Sequence, residues 1–95
     1  MISWPPKDPD EFLDYDVDWT DLLAPDVDAI ATSEFLVEAG DVVIADDPAP
    51  SVTGSVTKVW LSGGTLGNTA RILNRITTTG GRIWDQTMRL RIRSR

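Results

Sequence analysis

From Asp14 onward, hydrophobic and acidic positions alternate. Tyr15, Val17 and Trp19 fall on one side of an extended chain, and Asp14, Asp16 and Asp18 on the other. A period of two predicts a half-buried β-strand. The same pattern closes the chain, where Met88, Leu90 and Ile92 alternate with Arg89, Arg91 and Arg93 in a strand predicted over residues 83–93. Between them, strands are expected over residues 29–37, with Phe35 facing inward, over 42–44, and over 52–61. A further strand over residues 70–77 is expected to form a hairpin with 52–61 through the glycine-rich Ser62-Gly63-Gly64-Thr65-Leu66-Gly67-Asn68. Ala24-Pro25-Asp26, Ala39-Gly40-Asp41, Asp46-Asp47-Pro48-Ala49-Pro50 and Thr79-Gly80-Gly81 supply the breaks. Ahead of all this, the prolines of Trp4-Pro5-Pro6-Lys7-Asp8-Pro9 forbid regular helix or a central strand and predict an extended arm. Asp8-Pro9-Asp10-Glu11 has the N-cap, proline and acidic residues of one short helical turn. The expected organisation is an N-terminal arm and turn over residues 1–13, followed by a β-sandwich domain over 14–95. Short strands at regular intervals with no helical period define an all-β fold, a small antiparallel sandwich of immunoglobulin-like type, with a small barrel as the alternative.

With 95 residues the chain has room for one domain and a thin core, and a deep catalytic cleft would be hard to fit. A hydrophobic content of 41 % with four Trp belongs to a folded domain. Without cysteine, neither a disulfide framework nor a thiolate metal site can form. The N-terminus lacks the plan of a signal peptide, and no apolar run approaches the roughly 18 residues of a membrane span. The expectation is a protein made and used without Sec export and without a membrane partner.

Charge changes the picture more. The net charge is −6, but the acids crowd into residues 1–50, whose only base is Lys7, while residues 51–95 carry Lys58 and seven Arg against Asp85 alone. Such a split can be satisfied within one fold or between copies, the acidic face of one subunit meeting the basic face of the next. Either way it favours association. Two solvated faces on a monomer are the plainer alternative.

Candidate chemistry is sparse. The absence of histidine removes the commonest general base, and Lys7 and Lys58 have no setting that would activate a nucleophile. The acids alternate along a strand, the look of a solvated face rather than of a catalytic carboxylate pair, so no enzyme is expected. Asp14-x-Asp16-x-Asp18 resembles the start of a calcium loop, but Trp19 stands where the loop needs glycine and Pro25 where it needs Glu. No metal or cofactor site follows. The glycine-rich segment at 62–68 lacks a Gly-Lys-Ser/Thr ending and precedes a strand, so it is a turn rather than a phosphate cradle. Arg89, Arg91 and Arg93, continued by Arg95, form a positive stripe suited to an acidic protein surface or to phosphates. The negative net charge disfavours nucleic acid. Candidate partner-binding residues are therefore Trp4, Pro5 and Pro6 of the arm, Asp14, Asp16 and Asp18, and Arg89, Arg91 and Arg93. Trp4 has two possible roles, an anchor on a neighbouring subunit or a plug closing one end of its own core.

Several blocks bring these features together: Trp4-Pro5-Pro6-Lys7-Asp8-Pro9-Asp10-Glu11, Leu13-Asp14-Tyr15 with Asp18-Trp19, Val59-Trp60-Leu61-Ser62-Gly63-Gly64-Thr65, and Asn74-Arg75-Ile76-Thr77-Thr78-Thr79-Gly80-Gly81-Arg82. In these the chain resembles a family of small tailed-phage and prophage virion proteins of the fiber–tail adaptor kind. The resemblance implies a multi-copy virion part made in the bacterial host's cytoplasm and placed between tail and fibers. It also implies contacts with other tail proteins, a homo-oligomeric ring, no activity and no cofactor. A capsid-decoration or head-completion protein would share the sandwich. A carbohydrate-binding module, stacking sugars on Trp60 or Trp84, is the remaining class.

Overall fold

The computed structural model describes residues 2–94, so Met1 and Arg95, the last cation of the predicted stripe, lie outside the described residues. Eight strands form two facing sheets: β1 (Ile2–Ser3), β2 (Leu13–Asp18), β3 (Ile30–Ala39), β4 (Val42–Ile44), β5 (Ser51–Thr53), β6 (Val56–Gly63), β7 (Thr69–Thr78) and β8 (Ile83–Arg91). The first sheet runs β1-β8-β7-β3. In the second, β6 has β2 on one side and β4 and β5 end to end on the other. Each inward stripe closes on the other. Tyr15, Val17 and Trp19 from one sheet meet Ile72, Ile76, Met88, Leu90 and Ile92 from the other, in a single apolar cluster with Val59 and Leu61. Phe35 joins it, as its period predicts. Burying these side chains contributes about 1.5–3 kcal/mol each, the main force holding the sheets together.

One polar group crosses this core. Asn74 on β7 is fully buried and makes the four hydrogen bonds an amide can make. Its Oδ1 accepts from Trp19 Nε1 at 3.0 Å and from Thr57 Oγ1 at 2.6 Å, and its Nδ2 donates to Ser33 Oγ and to the Glu34 carbonyl, both at 2.9 Å. The amide thus ties β7 and β3 to β6 and to the end of β2.

Three expectations need correction. Residues 52–61 are not one strand: a turn at Gly54 and Ser55 divides them into the antiparallel pair β5 and β6. β6 and β7 do not form a hairpin. They lie in different sheets, and the glycine-rich segment carries the chain across the end of the sandwich, where Gly67 N donates to Ile92 O. The break after Trp19 contains a short helix α1 (Thr20–Leu23) and a 3-10 turn (Ala24–Asp26), too short to leave a period in the sequence. The one short turn expected at Asp8 is present: Glu11 N donates to Asp8 O, and Glu11 Oε1 accepts from Asp8 N at 2.7 Å.

The N-terminal segment is laid along the first sheet. β1 pairs in parallel with β8, Ile2 opposite Met88, so the sandwich is antiparallel except at this edge. Of the two placements open to Trp4, the structure shows the one within its own core. Its ring is only 8 % exposed and stacks on Tyr15 at 4.8 Å, and its Nε1 donates to Asp16 O. Lys7 is fully buried; its Nζ donates to the carbonyls of Gly63 at 2.6 Å and Asp8 at 2.9 Å, and burial pulls its pKa below the usual lysine value despite the nearby acids Glu11, Asp8 and Asp10. Trp4 and Lys7 therefore fasten the segment to both sheets.

Candidate interaction surfaces

The two outward faces differ in sign at their most exposed places. On β2, Asp14, Asp16 and Asp18 point to solvent as the alternation requires. Lys58, their neighbour on β6, reaches Asp14 at 3.1 Å and Asp16 at 3.8 Å. The Lys58 hydrogen bond lowers the Asp14 pKa, and the same contact raises that of Lys58. These ions are well exposed, so the pairs are weakly stabilising. Asp18 is used locally: its Oδ1 accepts from Thr20 Oγ1 at 2.6 Å and Thr20 N at 2.9 Å, which starts α1 and lowers the Asp18 pKa. Beside this acidic row, Phe12 packs on Trp60 at 5.2 Å between ring centres.

The outer face of the first sheet carries the arginines. Arg89, Arg91 and Arg93 are all exposed, and together with Ser3, Trp4, Pro6 and Thr69 they line a surface groove of about 340 Å³. Sequence periodicity misses one member. Register places Arg71 of β7 directly opposite Arg89 of β8, and the two share an adjoining depression with Thr69 and Ala39. Like charges opposed across a strand pair cost a few tenths of a kcal/mol. Among the described residues, Lys58, Arg75 and Arg82 have carboxylate partners, whereas Arg71, Arg89, Arg91 and Arg93 have none. The contrast on β7 is local: Arg75 faces Asp85 and grips it at 2.7 and 2.8 Å, while Arg71 faces another arginine.

Of the predicted arm residues, Pro5 is exposed and its carbonyl accepts from Tyr15 OH at 3.1 Å, while Trp4 and Pro6 form one wall of the arginine groove. The structure thus brings Trp4 and Pro6 together with the three stripe arginines. It keeps Asp14, Asp16 and Asp18 apart from them on the other sheet.

The chain is thus a small two-sheet β-domain with charged outward faces. The chain is a member of the podophage GP4 fiber-tail adaptor protein gp77 family, whose model matches residues 7–91. A search of curated proteins returned no match. The family is one of phage structural adaptors, and its match runs through residues 26–50, which the sequence resemblance had left aside.

Proposed function

We propose that this protein is a multi-copy component of the virion tail that joins tail and fibers through protein–protein contacts, forming a homo-oligomeric ring after synthesis in the host cytoplasm. The observation that carries this reading is the arginine groove with its adjoining depression: four arginines gathered there without a carboxylate partner among the described residues, on a domain with net charge −6. A cluster of like charge maintained at some cost to stability is suited to an acidic surface supplied from outside. Trp4 and Pro6 contribute as a rigid wall of that groove rather than as a reaching arm. Asp14 and Asp16 offer the complementary sign on the opposite sheet.

Particles assembled without this protein should have tails that lack fibers, and a cryo-EM map of the complete particle should show the domain between the two. Particles that keep their full fiber complement without it would refute the proposal.

A further inference from the structure

The acidic counterpart to the groove can be narrowed to one segment. Residues 46–50, Asp46-Asp47-Pro48-Ala49-Pro50, are all exposed, and neither aspartate pairs with a cation among the described residues. The segment leaves the sheet where β4 ends at Ile44, opposite Leu61, and returns where β5 begins at Ser51, opposite Lys58. It therefore protrudes from the β4–β5 edge of the second sheet. Prolines at 48 and 50 limit its conformations, which lowers the entropy lost on docking.

Topology puts this protrusion and the groove on different surfaces. β1 and β2 are the edge strands of one flank, bridged by the Trp4–Tyr15 stack; the groove opens there on the outer face of the first sheet, and its adjoining depression at Arg71 reaches Ala39 of β3. β3 and β4 make the other flank, joined through the turn at Gly40. A donor on one surface and an acceptor on another describe a head-to-tail contact, the kind that closes a ring when the rotation between subunits allows.

We infer that the Asp46-Asp47-Pro48 loop of one copy seats in the Arg71, Arg89, Arg91 and Arg93 groove of the next. The partner at this groove is a second copy of the chain. This rests on the multi-copy reading above and adds to it the two surfaces that meet. Asp46 and Asp47 supply two carboxylates to four guanidinium groups, and Thr69 and Ser3 add hydroxyls to the groove lining.

Charge reversal tests it, read by sedimentation velocity at about 50 mM and about 500 mM salt. Circular dichroism serves as the folding control, since every altered residue is exposed. Wild-type protein should self-associate more strongly at low salt. Asp46→Arg with Asp47→Arg, or Arg89→Glu with Arg91→Glu, should each weaken association at least tenfold. The chain carrying all four changes should recover it. Because the protein has no cysteine, an Ala49→Cys variant mixed with a Thr69→Cys variant should give a disulfide-linked dimer that neither gives alone. Association that persists unchanged in both reversed variants would overturn the loop-to-groove pairing while leaving the multi-copy reading in place. A wild-type chain monomeric at both salt concentrations would overturn both. So would a groove that binds DNA or an acidic fiber peptide while the chain stays monomeric.

Discussion

Replacing Asn74 with Leu should be among the most damaging single changes available to this fold. Leu keeps the branching of Asn at Cγ and is bulkier, so no cavity opens and the cost falls on the lost hydrogen bonds, with some overpacking added. Trp19, 1 % exposed, and Thr57, fully buried, would each lose the acceptor they now share. Stranding a buried donor costs about 1–3 kcal/mol, so the two together cost about 2–6 kcal/mol. The lost bonds to Ser33 and Glu34 are left out, since they lie partly in reach of water. A domain of this size has about 5–15 kcal/mol in all. Equilibrium urea unfolding followed by tryptophan fluorescence should show the midpoint falling by about 1–4 M. A double-mutant cycle isolates the mechanism. In the wild-type background Trp19→Phe removes one useful bond and costs about 1 kcal/mol. In the Asn74→Leu background it removes a stranded donor and should be neutral or stabilising. Additive behaviour, or a midpoint shift below about 0.5 M for Asn74→Leu, would refute the argument that this amide holds the two sheets in place.

Further outcomes follow from other contacts. Trp4→Ala should cost about 3–5 kcal/mol in the same assay, and removal of residues 1–9 should leave a chain without a cooperative transition, because Trp4 and Lys7 belong to the core; a stable truncated domain would show the segment to be an accessory arm. Gly40→Ala should cost about 1–3 kcal/mol, since φ is +93° and an added Cβ would stand 2.9 Å from that of Ala70; an unchanged thermal midpoint would count against it. The Asp28 carboxyl is held well below the usual range by the neighbouring threonine hydroxyls, Thr78 and Thr79, the latter donating to Oδ1 at 3.1 Å, by the amides of Ala29 and Gly80 and by the Arg82 guanidinium, against an opposing effect of burial. A depressed carboxylate contributes stability above its unfolded pKa of about 3.9 and loses it as pH falls toward the folded value. Acid unfolding of Asp28→Asn should therefore be flatter below about pH 4 than that of the wild type, and parallel acid limbs would refute this.

The first and last strands were legible because one face of each is buried and the other charged, so burial writes itself into the alternation. Sheet membership was not. Ser62 to Asn68 has the length and glycine content of a hairpin loop whether it turns back on its own sheet or crosses to the other. The choice is made by Ile72, Ile76 and Asn74 packing from across the core. Prolines at 5 and 6 announced an extended segment but not where it lies, since its hydrogen bonds go to residues at the far end of the chain. The groove was half legible. Arg89, Arg91 and Arg93 appear as a stripe, but Arg71 joins them only through the β7–β8 register. A signal for that register existed: Asp85 is the single acid on the two strands, and pairing it with Arg75, the nearer of the two β7 arginines across the turn at Gly80 and Gly81, sets Arg71 against Arg89.

The parallel pairing of β1 with β8 also bears on how the chain reaches its fold. Ile2 and Ser3 cannot pair until β8 is in place, and the backbone amides of Trp4 and Lys7, which donate to Arg89 O and Arg91 O, wait on the same strand. Contacts this distant in sequence make folding slow. Until β8 docks, the chain carries an exposed Trp-Pro segment and an unfinished sheet edge, and that is the interval in which a chaperone has most to protect.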